Sequence, residues 1–269
     1  MEITPARKWA LTQIVYQDIL DEIDEHFHTL NVEYMPIKGA YLICSGLAEK
    51  MSERRICDID ILIHEKDMQK TSDYFAGLEN TELRMYYKYN YRPTESIFYY
   101  SIAEAKVLLE IHMLLNFPER FVLPTDDLFS RSRPGNGRLR LPSPEDSLLI
   151  FLCHIQSHMP FEFRNTYLEE INLLVSQEGF SWEKFWDLSP STGIEPFIYF
   201  TLRLYQKKYH CTINTPTNYL YSDLLVKKFS LQWFEQLPQW ARRVFFDLPF
   251  VRRPVWLLFY KLFHNKKQN

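Results

Sequence analysis

The sequence predicts a mixed α/β fold in the first half of the chain and an all-helical second half, with the change near residue 135. Before that point, short alternating and β-branched runs lie between helical stretches. After residue 144, the apolar residues recur almost throughout at helical spacing. The segment 131–144 between the two parts is rich in turn-forming residues. We therefore expect one domain in residues 1–135 and a second in residues 136–269.

Each element of the first half has its own pattern. Apolar side chains at three- and four-residue steps, with polar residues between them, predict helices at 5–30, 38–46 and 66–78. Short runs rich in β-branched and aromatic residues predict strands at 32–37, 56–64, 83–91, 96–101 and 105–115. Helical spacing in the second half predicts helices at 145–158, 165–177, 182–188 and 194–209. These elements indicate a small mixed sheet with flanking helices, followed by an α-helical domain.

Composition limits the classes of protein that the chain can represent. Of its 269 residues, 46% are hydrophobic and 24% are charged, which is enough apolar surface for a substantial core. The 31 basic and 34 acidic residues give a net charge of -3, which argues against a globally basic nucleic-acid binder. The four cysteines form no CxxC pair, and no apolar leader or membrane-spanning run is present. We expect a cytoplasmic protein.

The most informative motif is Asp58-Ile-Asp60 in the predicted strand 56–64. Side chains two residues apart share one face of a strand, so both carboxylates project together. Two adjacent anions need a counter-charge when they are buried, and a divalent cation such as Mg²⁺ supplies one. The alternative is that both aspartates lie at an exposed strand end and pair with Arg54 or Arg55.

Residues near this motif suggest contacts to phosphate. Lys38 and Gly39 open a predicted helix 20 residues before Asp58, and a glycine there lets the backbone approach an anion. Arg54 and Arg55 lie close enough in sequence to bind triphosphate oxygens. These four residues are therefore our nucleotide-binding candidates.

A third acid lies in the predicted strand 105–115. Alternation there places Glu110 and His112 on one face and apolar residues on the other. Glu110 is thus the candidate third carboxylate of a metal site or a candidate base. We expect Asp58, Asp60 and Glu110 to be both the catalytic residues and the metal ligands.

The order of these motifs resembles a known family. Lys-Gly, Arg-x-x-x-Asp-Ile-Asp, Glu-Ile-His, Pro-x-Pro-Glu-Asp-x-Leu-Leu and His-x-x-x-His follow one another over roughly residues 30–160. This order is similar to that of the bacterial uncharacterised nucleotidyltransferase family, in the DNA polymerase β-like superfamily. In that superfamily a Gly-Ser turn stands where this chain has Lys38 and Gly39.

The resemblance implies a polymerase β-like fold and a metal-dependent transferase. Such an enzyme moves a nucleoside monophosphate from an NTP to a hydroxyl or phosphate acceptor, with Mg²⁺ or Mn²⁺ as cofactor. Asp58 and Asp60 would be the metal ligands, and Glu110 the third carboxylate. The acceptor, whether a small molecule, a peptide or a protein, is not specified.

Two histidines four residues apart, His154 and His158, lie on one face of a predicted helix. With His112, they are candidates to line the cleft for the acceptor. The alternative is that the two helix histidines lie at a polar boundary between the two halves of the chain and bond to the backbone. A zinc site made from the three histidines would instead indicate a hydrolase.

The last segment, 240–269, is basic and rich in aromatic residues. It would contact a membrane surface or a partner protein, or it would pack its aromatic residues on the domain. A non-catalytic nucleotide-binding module that docks a partner through this segment is the alternative to a transferase.

Overall fold

The computed structural model describes residues 5–51, 58–89, 92–102, 105–115, 123–158 and 165–215. Within them the chain forms the helices α1 Pro5–Leu30, α2 Lys38–Cys44, α3 Met68–Ala76, α4 Thr125–Arg131, α5 Pro144–His158, α6 Asn165–Val175, α7 Trp182–Leu188 and α8 Glu195–Tyr209. The strands are β1 Tyr34–Ile37, β2 Asp58–Ile63, β3 Thr81–Tyr89, β4 Arg92–Ile102, β5 Ala105–His112, β6 Arg133–Pro134 and β7 Arg140–Leu141. The predicted mixed α/β fold with a helical continuation is confirmed.

Five strands form one mixed sheet in the order β1-β2-β5-β4-β3. β2 and β5 run parallel, whereas the neighbouring pairs β1–β2, β4–β5 and β3–β4 are antiparallel. The acidic strands β2 and β5 are therefore direct neighbours at the centre of the sheet. Because β1 pairs with the other edge of β2, the residue that follows β1 also comes close to the acidic motif.

One face of the sheet is apolar and covered by α1 and α3. Ile59, Ile61 and Ile63 of β2 are fully buried, and each such side chain stabilises the fold by about 1.5–3 kcal/mol. The ring of Phe75 in α3 lies 5.9 Å from that of Phe98 in β4 and 5.7 Å from that of Phe27 in α1. Since side chains alternate along a strand, the polar residues of β2 and β5 project from the opposite face.

The sequence also sets where α5 begins. The side-chain oxygen of Ser143 accepts a hydrogen bond of 3.0 Å from the backbone N–H of Asp146, as an N-cap residue does. The buried Asp146 carboxylate in turn accepts two close contacts from Arg131, at 2.8 and 3.0 Å. Ser143 is therefore the N-cap of α5.

The described residues divide into two compact units. The first contains those within 1–115, 123–150 and 173–180, and the second contains those within 151–172 and from 181 onward. The predicted domain division at residue 135 stays a prediction. In the part of the chain that the structure describes, no helix combines the length and apolar character needed to cross a bilayer.

Candidate active site

The register of the sheet brings polar residues from three strands to one face. Asp60 of β2 lies beside Glu110 of β5, and Glu95 of β4 lies beside His112 of β5. Directly paired residues point to the same face of a sheet. Asp60, Glu110, His112 and Glu95 are therefore neighbours on the face opposite the apolar core. The period-two pattern of β2 and β5 is what places them there.

Three of these side chains form a tight cluster. Nε2 of His112 lies 2.9 Å from Oδ1 of Asp60 and 3.6 Å from Oε2 of Glu110. One nitrogen or oxygen of each residue lies within 4.8 Å of the others. Among the described residues, this is the one group of three such side chains close enough to share a metal ion. We refer to Asp60, Glu110 and His112 as the acidic cluster.

Lys38 lies next to the acidic cluster. Ile37, the last residue of β1, pairs with Asp60, so Lys38 follows at once as the first residue of α2. Its ammonium nitrogen lies 2.5 Å from Oδ1 of Asp60. Lys38 also has φ of 51°, a left-handed conformation that costs a non-glycine residue on the order of 1 kcal/mol. The ion pair with Asp60 is thus formed from an unfavourable backbone conformation.

The charges around Asp60 keep it ionised. Its side chain is 1% exposed, and burial by itself would raise the pKa of this carboxyl. The ammonium of Lys38 and the imidazole of His112 outweigh that effect and hold the pKa of Asp60 well below its usual range. Burial likewise opposes the charge of Lys38, but the neighbouring Asp60 raises the pKa of the lysine. The pair therefore remains charged at neutral pH.

Glu110 has the opposite shift. Burial, followed by the negative charge of Asp60, raises the pKa of Glu110 to about 7, although His112 and Lys38 partly offset this rise. At neutral pH Glu110 is therefore close to its protonation midpoint. A carboxylate in this range can accept a proton from a reacting group and release it again. Perturbed pKa values of this kind are typical of functional sites.

Replacing Glu110 with glutamine should stabilise the metal-free protein. Because the folded-state pKa lies above that of the unfolded chain, ionised Glu110 opposes folding; this penalty grows as the pH rises and is complete above pH 7. We expect Glu110→Gln to increase the free energy of unfolding by about 1–2 kcal/mol at pH 8, and by less near pH 5. Denaturant unfolding in EDTA measures this change, with Glu82→Gln, an exposed acid of β3, as control. A loss of stability at pH 8 would contradict the electrostatics described here.

The side chains of the acidic cluster are suitable ligands for a divalent cation. It supplies two carboxylates and one imidazole, groups that bind hard and borderline metal ions. The structure also shows that this position attracts a cation, because the ammonium of Lys38 lies against Asp60.

The other predicted site residues lie in different places. Asp58 is half-buried at the start of β2, and Gly39 is buried in the first turn of α2. His154 and His158 lie in the last two turns of α5, within the second unit. Arg54, Arg55 and the segment 240–269 lie outside the described residues. The alternative of an exposed strand end does not apply to Asp60, which is buried and contacts Lys38 and His112.

Sequence reasoning missed Glu95. Its Oε1 lies 3.7 Å from Nδ1 of His112, the ring nitrogen that faces away from Asp60. The two residues are 17 positions apart, and only the pairing of β4 with β5 brings them together. The one sequence signal is that Glu95 is an acid in a strand whose next residues are mostly apolar and aromatic.

A comparison with known protein families identifies the family of the chain. The profile of a family described as uncharacterised nucleotidyltransferases matches residues 4–210. This match spans most of the chain, and the protein belongs to that family. The resemblance seen in the order of the motifs is therefore confirmed. A comparison with curated proteins found no match.

Solved structures with a related arrangement are distant. The crystal structure of ANT(2")-Ia in complex with adenylyl-2"-tobramycin has 14% sequence identity and a TM-score of 0.42, covering 74% of this chain and 99% of that one. A crystal structure described as that of a nucleotidyltransferase from H. pylori has 12% identity and a TM-score of 0.41, covering 96% of this chain and 99% of that one. At this level of similarity, no residue role is transferred from either protein.

Proposed function

We propose that the protein is a metal-dependent nucleotidyltransferase that moves a nucleoside monophosphate from an NTP to a hydroxyl or phosphate acceptor. The observation that carries the proposal is the convergence of Asp60, Glu110 and His112 beside Lys38 on one face of the sheet. Membership of a nucleotidyltransferase family supports the same reaction. Two neighbouring carboxyls whose pKa values are shifted in opposite directions, as in Asp60 and Glu110, also support a functional site.

In this proposal the carboxylates of Asp58, Asp60 and Glu110 hold Mg²⁺ or Mn²⁺. The chemistry that such an ion supplies is neutralisation of triphosphate charge and polarisation of the phosphorus under attack. Asp60 suits this role because it stays ionised despite its burial. Asp58 shares the face of Asp60 by strand alternation and is less buried, so it would be accessible to a metal ion that enters with the triphosphate.

Glu110 is proposed either to complete the metal site or to act as the base for a hydroxyl acceptor. In the second role, the acceptor oxygen forms a bond to the α-phosphorus while the bond from that phosphorus to the bridging oxygen of the pyrophosphate breaks. The proton of the hydroxyl passes to Glu110, and pyrophosphate leaves with the bonding electrons. In the metal-free protein the pKa of Glu110 is about 7, and in this role Glu110 would accept the proton and return it to solvent afterwards.

Lys38, Gly39, Arg54 and Arg55 are the proposed nucleotide-binding residues. Lys38 neutralises Asp60 in the free protein, and we propose that its ammonium moves to the triphosphate when the substrate binds. The two arginines would then balance the charge of the departing pyrophosphate. His154 and His158 remain candidates to line the cleft for the acceptor.

We also propose a cytoplasmic location. The cysteines that the structure describes, Cys44, Cys153 and Cys211, are all free. Free thiols, two of them raised in pKa by burial, suit a reducing compartment. Contact of the basic segment 240–269 with a membrane or a partner protein is retained as part of the proposal.

A transfer assay tests the proposed reaction. The purified protein is incubated with each labelled NTP, Mg²⁺ or Mn²⁺ and a cell extract, and pyrophosphate release and the mass of labelled products are measured. We expect metal-dependent pyrophosphate release together with one product that has gained a nucleoside monophosphate. Tight nucleotide binding without transfer in any extract would instead favour the non-catalytic module.

A further inference from the structure

His112 has a carboxylate on each side of its ring. Nε2 lies 2.9 Å from Asp60 and 3.6 Å from Glu110, whereas Nδ1 lies 3.7 Å from Glu95. The side chain is 10% exposed and lies on β5, which is flanked by β2 and β4. Strands on both sides restrict its movement, so the imidazole is held between the two sets of acids.

This arrangement is close to that of a metal-binding histidine. A ligating imidazole must present a nitrogen lone pair to the ion and keep its proton on the other nitrogen, which donates to a carboxylate or carbonyl. Here Nε2 faces the two carboxylates of the acidic cluster, and Nδ1 faces Glu95. In the metal-free protein Nε2 is within hydrogen-bond distance of the ionised Asp60 and donates to it, so a metal ion that binds Nε2 must displace that proton. Glu95 lies near Nδ1 and is placed to stabilise the proton that then remains on the ring.

We infer that Nε2 of His112 is a metal ligand beside Asp60 and Glu110, and that Glu95 is a positioning residue for it. The inference rests on the proposed function, because it concerns the metal ion of that site. A nitrogen ligand also indicates the class of ion. Mg²⁺ prefers oxygen ligands alone, whereas first-row transition ions such as Mn²⁺ accept imidazole. The site should therefore bind Mn²⁺ more tightly than Mg²⁺.

Electron paramagnetic resonance of the full-length protein with Mn²⁺ and a non-hydrolysable NTP tests the ligand directly. Electron spin echo modulation detects a nitrogen nucleus bound to Mn²⁺, and labelling histidine with ¹⁵N changes its frequency. We expect bound Mn²⁺ with a nitrogen modulation that shifts on ¹⁵N-histidine labelling. Bound Mn²⁺ without a histidine signal would overturn the inference and leave the proposed transfer intact. Failure of Mn²⁺ to bind would overturn both.

Two variants with matched controls assign the signal. His112→Gln should remove the nitrogen modulation, whereas His64→Gln, which changes a histidine bonded to Asp126, should retain it. Glu95→Gln should keep the modulation but weaken Mn²⁺ binding by about tenfold, whereas Glu82→Gln at an exposed acid should not. If His112→Gln does not fold, the isotope experiment on the unaltered protein still decides the assignment.

The experiments also separate this inference from the reaction. A histidine-bound Mn²⁺ in a protein that releases no pyrophosphate would uphold the inference and defeat the transferase proposal. Equal affinity for Mn²⁺ and Mg²⁺, measured by calorimetric competition, would contradict the predicted class of ion.

Discussion

Asp60→Asn is expected to reduce nucleotidyl transfer by about 10³-fold, equivalent to about 4 kcal/mol of transition-state stabilisation. Asparagine has nearly the same volume, and its amide oxygen can still accept a hydrogen bond from Lys38, so the fold should persist. What the variant loses is the negative charge that remains ionised in a buried position. Initial rates of pyrophosphate release, measured at saturating NTP and metal, give the effect.

A control is needed because Asp60 lies in the core of the sheet. Asp73→Asn makes the same chemical change at an exposed residue of α3 that bonds only to Gln69 among the contacts described. That variant should keep the full rate, and circular dichroism should show both variants folded. If Asp60→Asn is folded and has an undiminished rate, Asp60 is not a catalytic residue.

Much of the fold could be predicted because local patterns determine it. The helix at 5–30 has clear periodicity, and the strand pattern of β2 fixes that Asp58 and Asp60 share a face. The same alternation in β5 placed Glu110 and His112 together. For these residues the side-chain direction follows from the chain itself, so no knowledge of neighbouring strands is required.

The contacts that the sequence did not predict depend on register between distant strands. Lys38 and Asp60 are 22 residues apart, and the pairing of Ile37 with Asp60 is what brings them into contact. The pairing of Glu95 with His112 depends in the same way on β4 and β5. Register depends on the exact turn between paired strands and on which face of each strand is buried, and the strand patterns alone did not fix either.

The short helix α4, Thr125–Arg131, was not predicted for a different reason. It has only seven residues, so fewer than two full turns are available to show an apolar period. Its buried apolar residues Leu128 and Phe129 are adjacent in sequence, a spacing that does not distinguish a helix from a strand. Only the acids Asp126 and Asp127 in its first turn are a local helix signal.

Lys38→Met is expected to have two opposite effects. In the free protein, the ammonium of Lys38 competes with a divalent cation for Oδ1 of Asp60. Removing it should therefore strengthen Mn²⁺ binding in the absence of nucleotide by at least about tenfold, a change of about 1.4 kcal/mol. In the transfer reaction the same lysine is proposed to contact the triphosphate. Turnover should accordingly fall by about 10²-fold, as when one stabilising donor is lost.

The combination of effects is what tests this dual role. Titration calorimetry with MnCl₂ measures the first effect and steady-state kinetics the second, with Lys66→Met, an exposed lysine beside α3, as control. Lys38→Gly is a useful second variant, because glycine adopts φ of 51° without strain, so a loss of activity shared by both variants does not come from backbone strain. Weaker metal binding in both variants would show that Lys38 supports the cation rather than replacing it. Stronger Mn²⁺ binding with unchanged turnover would show that Lys38 acts only in the free protein and that other residues contact the triphosphate.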